Sequence, residues 1–158
     1  MQISDKLNET TILTSLKGVN RSEVIHEMLL HLVTEKYLQG SIKLFSFIDN
    51  HESLNNSAIG RGIAFPHSTS VEIDDLVCIL GISENGIIYN EADVHPCHII
   101  LLSLSPKSNP DIHRKFISKF RLLLSDIQIK DKIINASSAT SVKDLLYNWD
   151  QKEMEEDF

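Results

Sequence analysis

The spacing of apolar residues changes twice along this chain. Across NRSEVIHEMLLHLVTEKYL, residues 20–38, Val24, Ile25, Met28, Leu29, Leu32 and Val33 recur every three or four positions, the signature of one helix face. Asn20 or Ser22 is suited to cap the start of that helix, and Gly40 lies beyond its end. SIKLFSFIDNHESL, residues 41–54, reads as a second, shorter helix, although its aromatic and β-branched content leaves a strand open. The pattern then tightens into short apolar runs, GIAFP, DLVCILGIS and CHIILLSLS, which read as buried strands. SENG reads as a turn and SPKSNP as a loop. Helical spacing returns in PDIHRKFISKFRLLL, where Ile112, Phe116, Ile117, Phe120, Leu123 and Leu124 form one stripe and Pro110 and Asp111 suit the first turn. QIKDKIINAS and SVKDLLYNW add two more short helices. Helices, then strands, then helices predict a layered α/β domain.

Length and charge narrow this picture. With 158 residues, 42% of them apolar, the chain suits one domain, expected over residues 1–150, followed by an acidic, solvated tail over 151–158. A net charge of −7 argues against nucleic acid as the main partner, because phosphate backbones require a basic surface. There is no run of 18 apolar residues and no signal-peptide pattern at the start, so no membrane insertion is expected and a cytoplasmic location is the default. Cys78 and Cys97 sit in apolar runs and read as buried free thiols.

The candidate chemistry is carried by histidines. His26 and His31 decorate the first helix. His95, Cys97 and His98 in VHPCHII are poorly spaced for one metal site, since neighbouring strand residues point to opposite faces. His67 stands apart. In GRGIAFPH, Pro66 lacks an N–H and biases Phe65 towards extended backbone, so the strand is expected to end there and present His67 beside the polar STS. His113 lies near the start of an amphipathic helix, and spacing alone does not bring it to His67.

Taken together, these segments resemble the type 2 IIA domains of the bacterial phosphotransferase system, a family of fructose- and mannitol-type domains and nitrogen-regulatory proteins. The resemblance rests on HESLNNSAIGRGIAFPH, through Glu52, Ile59, Gly60, Gly62, Ile63, Ala64, Pro66 and His67, with Ser57 near the family's Ser/Thr region. It extends to EADVHP through Ala92, Asp93 and Pro96, and to HRKFISKFRLLL with His113 at the family's second histidine. The resemblance implies a three-layer-like sandwich, a mixed β-sheet flanked by helices. It also implies phosphoryl transfer through His67, with His113 stabilising the phosphate and no cofactor or metal. Backbone N–H groups around Gly60 and Gly62, or in the loop expected after His67, are further candidates for that stabilising role. The implied donor is an HPr- or NPr-type phosphocarrier protein. The group passes on to a IIB domain in sugar-type members, or the phosphorylation state is read by regulatory target proteins in nitrogen-regulatory ones.

One departure bears on the chemistry. The family's arginine, sixteen residues before the active histidine, is His51 here. Arginine is always charged and grips phosphate oxygens bidentately, whereas histidine is largely neutral at pH 7. Arg61 and Arg114 are candidate substitutes. The departure keeps a second reading open, a binding module that retains the fold with impaired phosphotransfer. An unrelated hydrolase or metal enzyme ranks last.

Overall fold

The computed structural model describes residues 1–55, 57–58, 61–91 and 95–156. Its elements run, after a short 3-10 turn at Ile3–Asp5, β1 (Ile12–Leu13), α1 (Arg21–Thr34), α2 (Ile42–Leu54), β2 (Ile63–Ala64), β3 (His67–Ser70), β4 (Val77–Ile87), β5 (Cys97–Pro106), α3 (Ile112–Leu124), α4 (Ile127–Ile134) and α5 (Ala139–Glu156). The sheet has the order β1-β4-β5-β2, with β3 also paired to β5. β4 and β5 are antiparallel and the other pairings are parallel, so the sheet is mixed.

The period-two alternation of the central strands divides the core into two layers. Cys78, Leu80 and Ile82 of β4 and Ile99 and Leu101 of β5 face α3, α4 and α5, where they meet Phe116, Phe120, Leu123 and Leu146. Ile79 of β4 and Ile100, Leu102 and Leu104 of β5 face the opposite way, onto Val24, Ile25, Met28 and Leu29 of α1 and Ile48 of α2. Both strands are therefore covered on both faces, which is why their sequences are continuously apolar. The expected α/β sandwich, with helices on either side of a mixed sheet, is what forms.

Local chemistry explains most of the boundaries. Asn20 caps α1 by accepting from the Glu23 N–H at 3.0 Å. SIKLFSFIDNHESL, where a strand remained open, is α2. α5 runs to Glu156, so residues 151–156 of the acidic stretch are helical.

Two sequence expectations are corrected. SENG lies within β4, not in a turn between strands. The pairing with β5 shifts between Ile82 and Ile87, and Gly86 takes a φ of 81°, so the strand absorbs an irregularity without reversing. Nor does Pro66 end the extended run: β3 begins at His67 and pairs with β5 through His67 and Ser103. Proline removes an N–H but keeps its carbonyl, and that of Pro66 accepts from the Ser103 N–H at 3.0 Å. Pro66 therefore interrupts the edge of the sheet between β2 and β3 while the chain continues along the same neighbour.

Candidate functional site

The aliphatic face of β5 that meets α3 changes character at its C-terminal end. After Ile99 and Leu101 come Ser103 and Ser105, both fully buried. His113, on the first turn of α3, packs there and is 7% exposed. Its Nδ1 lies 3.1 Å from the Pro110 carbonyl and 3.0 Å from Ser105 Oγ. A carbonyl only accepts, so Nδ1 carries the proton and the neutral ring keeps its lone pair on Nε2.

His67 sits opposite, at the start of β3. The two rings are nearly parallel, inclined by 18°, with centroids 4.4 Å apart. His67 directs Nδ1 to the Phe65 carbonyl at 3.3 Å, which again leaves Nε2 with the lone pair. His67 is only partly buried. His51, in the last turn of α2, approaches edge-on with ring centroids 6.0 Å apart. All three histidines line one open cavity of about 700 Å³, together with Phe47, Arg114 and Arg121. Burial first, and the charge of His67 second, hold His113 below the ordinary histidine range.

A buried polar relay underlies His67. Glu52 of α2 is 2% exposed. It accepts from Tyr89 Oη at 2.6 Å, from the Ser57 N–H at 3.0 Å and from the Ser57 hydroxyl. Ser57 Oγ in turn accepts from the Phe65 N–H at 3.0 Å. Phe65 is thus held through its N–H as well as through the carbonyl that receives His67 Nδ1. Burial first, and the Glu52 charge second, push the Tyr89 phenol far above its usual range, so it stays a donor.

The remaining candidates separate clearly. Arg114 lines the histidine cavity and lies 3.5 Å from Asp111 Oδ1, with its side chain 76% exposed. Arg61 lines a neighbouring hollow instead. Gly62, with a φ of 78°, turns its carbonyl to the His98 and Ile99 N–H groups and so starts the β2–β5 pairing. It is not among the residues lining the histidine cavity. Ile59, Gly60, Ala92 and Asp93 lie outside the described residues. His98 Nδ1 is engaged by the Ser83 carbonyl at 2.9 Å, and among the described residues no group of three or more His, Cys, Asp or Glu is placed to hold a metal. Cys78 and Cys97 are buried and are not joined in a disulfide, and burial raises the Cys78 thiol to about 12.

Sequence reasoning missed four contributors: Phe47, Tyr89, Ser105 and Arg121. Phe47 and Arg121 carried a usable signal, since Phe47 precedes His51 by one helical turn and Arg121 follows Arg114 by two. Tyr89 and Ser105 are joined to the site only through tertiary contacts.

Among the described residues, no helix is long and apolar enough to cross a membrane. The chain is 26% identical to the fructose-specific EIIABC component of Bacillus subtilis over 96% of its own length, but spans only 24% of that protein. It is 23% identical to the nitrogen regulatory protein of Bradyrhizobium diazoefficiens, covering 92% of this chain and 95% of that one. Among solved structures it is similar to nitrogen regulatory protein IIA-Ntr from Neisseria meningitidis, with a TM-score of 0.79, 22% identity, and coverage of 91% of this chain and 98% of that one. It is also similar to the complex of enzyme IIA mannitol with phosphorylated enzyme IIB mannitol from Escherichia coli, with a TM-score of 0.73, 19% identity, and coverage of 90% and 98%. Residues 5–149 match the family model described as phosphoenolpyruvate-dependent sugar phosphotransferase system, EIIA 2, and the chain belongs to that family.

Proposed function

We propose that this protein is a phosphohistidine carrier of the phosphotransferase system and that His67 Nε2 accepts the phosphoryl group. The observation that carries this reading is the pair of facing imidazoles, each with Nδ1 committed to a backbone carbonyl and both lining one open cavity. In the transfer, the P–N bond of a donor phosphohistidine breaks as a P–N bond to His67 Nε2 forms, and the donor imidazole leaves with its electron pair. The Phe65 carbonyl keeps Nδ1 protonated and so directs attack to Nε2.

The transferred group brings negative charge to a cavity whose nearby positive charge includes Arg114. His113 contributes once its Nε2 takes up a proton, because the neutral tautomer offers no N–H there. An HPr- or NPr-type phosphocarrier is the proposed donor. Phosphorylation-dependent binding to other proteins is the proposed output, supported by the likeness to a nitrogen regulatory relative. Transfer to a IIB domain is the alternative, supported by the likeness to the IIA component of the mannitol complex.

The test is incubation with phosphoenolpyruvate, enzyme I and the phosphocarrier, followed by mass measurement. Wild type gains an acid-labile adduct of about 80 Da and His67→Ala gains none. An unmodified wild type alongside active partners overturns the reading. His51 in the arginine position favours a weaker carrier, so His51→Arg is expected to speed phosphorylation. An equal or slower rate shows that another group already holds the phosphate.

A further inference from the structure

Beside the histidine cavity lies a second hollow of about 480 Å³, lined by Arg61, Arg121 and Lys130 together with Ser118 and Ser125. No carboxylate is among its lining residues. Arg121 and Ser118 line both hollows, so the two are continuous across α3. Lys130 is held in place by donating to the Arg61 carbonyl at 2.7 Å, which draws α4 and the segment before β2 together. Among the described residues the Arg121 guanidinium has no hydrogen-bonded or ion-paired partner. In a chain of net charge −7, this concentration of cations is a local reversal of sign.

The margin of the histidine cavity at Phe47 differs. There Phe47, 58% exposed, continues into an apolar groove with Leu30, Ile42 and Val71. A protein that reaches His67 therefore meets both an apolar margin and a cationic one.

We infer that the Arg61–Arg121–Lys130 hollow is a docking rim for acidic side chains of the HPr- or NPr-type phosphocarrier protein proposed above as the phosphoryl donor. The inference rests on the phosphocarrier reading above. Its arguments are charge complementarity and continuity with the histidine cavity. Close opposite charges at an interface rim fix orientation and suppress wrong partners. The net negative charge of the chain repels an acidic partner at longer range, so contact is favoured where the rim meets it and disfavoured elsewhere.

The test is a calorimetric titration of the whole protein with the unphosphorylated phosphocarrier. Lys130→Glu and Arg61→Glu are each expected to raise Kd about tenfold, and the neutral Lys130→Gln about threefold. Lys152→Glu on α5 changes net charge by the same amount outside the rim and is expected to stay within twofold of wild type. Thermal unfolding of each variant checks that the fold persists. Binding unchanged or tightened by the rim substitutions, an equal loss with Lys152→Glu, or no binding by wild type overturns the inference. The adduct measurement on His67 is independent of these outcomes. Phosphorylation with a rim-insensitive Kd sinks the rim alone, and no phosphorylation with a rim-sensitive Kd sinks the phosphocarrier reading alone.

Discussion

The two imidazoles of the cavity are held in the same way and supported in opposite ways. Each gives its Nδ1 proton to a backbone carbonyl, Phe65 for His67 and Pro110 for His113. His113 is buried, so packing and Ser105 hold it directly. His67 is only partly buried and has less packing to steady it. Its support comes from beneath, through the relay from Glu52 to Ser57 to the Phe65 peptide. The lesson is that the more exposed imidazole is positioned by its backbone, and that backbone by a buried carboxylate two steps away. The buried imidazole instead relies on the core.

This contrast is best broken at Glu52. Glu52→Ala strips an acceptor from the Tyr89 hydroxyl and from both donors of Ser57, and is expected to cost about 3 kcal/mol in denaturant unfolding. Glu52→Gln, which keeps one acceptor oxygen, is expected to cost about half as much. His113→Ala tests the other side. It is expected to slow phosphorylation of His67 about a hundredfold, read by quench-flow mass measurement, the usual scale for losing one donor to a developing anion. If the two imidazoles were interchangeable supports, Glu52→Ala and His113→Ala would damage stability and transfer alike.

A smaller effect follows from the depressed His113 pKa. A buried neutral histidine contributes stability above its unfolded value of about 6.5, and loses it as pH falls from there towards the lower native value, because the unfolded chain binds the proton more readily. Wild type should therefore lose more stability than His113→Gln between pH 7.5 and pH 5.5 in urea titrations. Phosphorylation of His67 should reverse the shift, moving the His113 titration upward when followed by nitrogen-15 NMR, since the adjacent phosphoryl charge favours the imidazolium. The smallest change is expected for Ser105→Ala, about 1 kcal/mol or less, because the Pro110 carbonyl still accepts from His113 Nδ1.

How much of this was legible in the chain varies from element to element. The stripe of α3 and the Asn20 cap of α1 are local, and the structure places them as the spacing predicts. SENG carried turn residues, yet pairing with β5 on either side of it, at Ile82 and Ile87, holds it within β4 and confines the irregularity between them. Pro66 carried a stop signal, yet its carbonyl stayed available to the Ser103 N–H and the edge continued as β3. In both places a neighbouring strand outweighed a local preference of order one kcal/mol.

By itself the sequence determined the α/β layering, the amphipathic helices, the identity of His67 as the singular histidine and the family motifs around it. These depend on residues close together in the chain, where apolar period and backbone restriction act. Only the tertiary structure decided that His51, His67 and His113 line one cavity, that Arg114 faces it while Arg61 faces the next hollow, and that Tyr89 and Ser105 anchor the site. These depend on how β5 pairs with β3 and receives α3. Such contacts join residues far apart in sequence, and they form only when burial of both sheet faces repays the entropy of bringing those segments together.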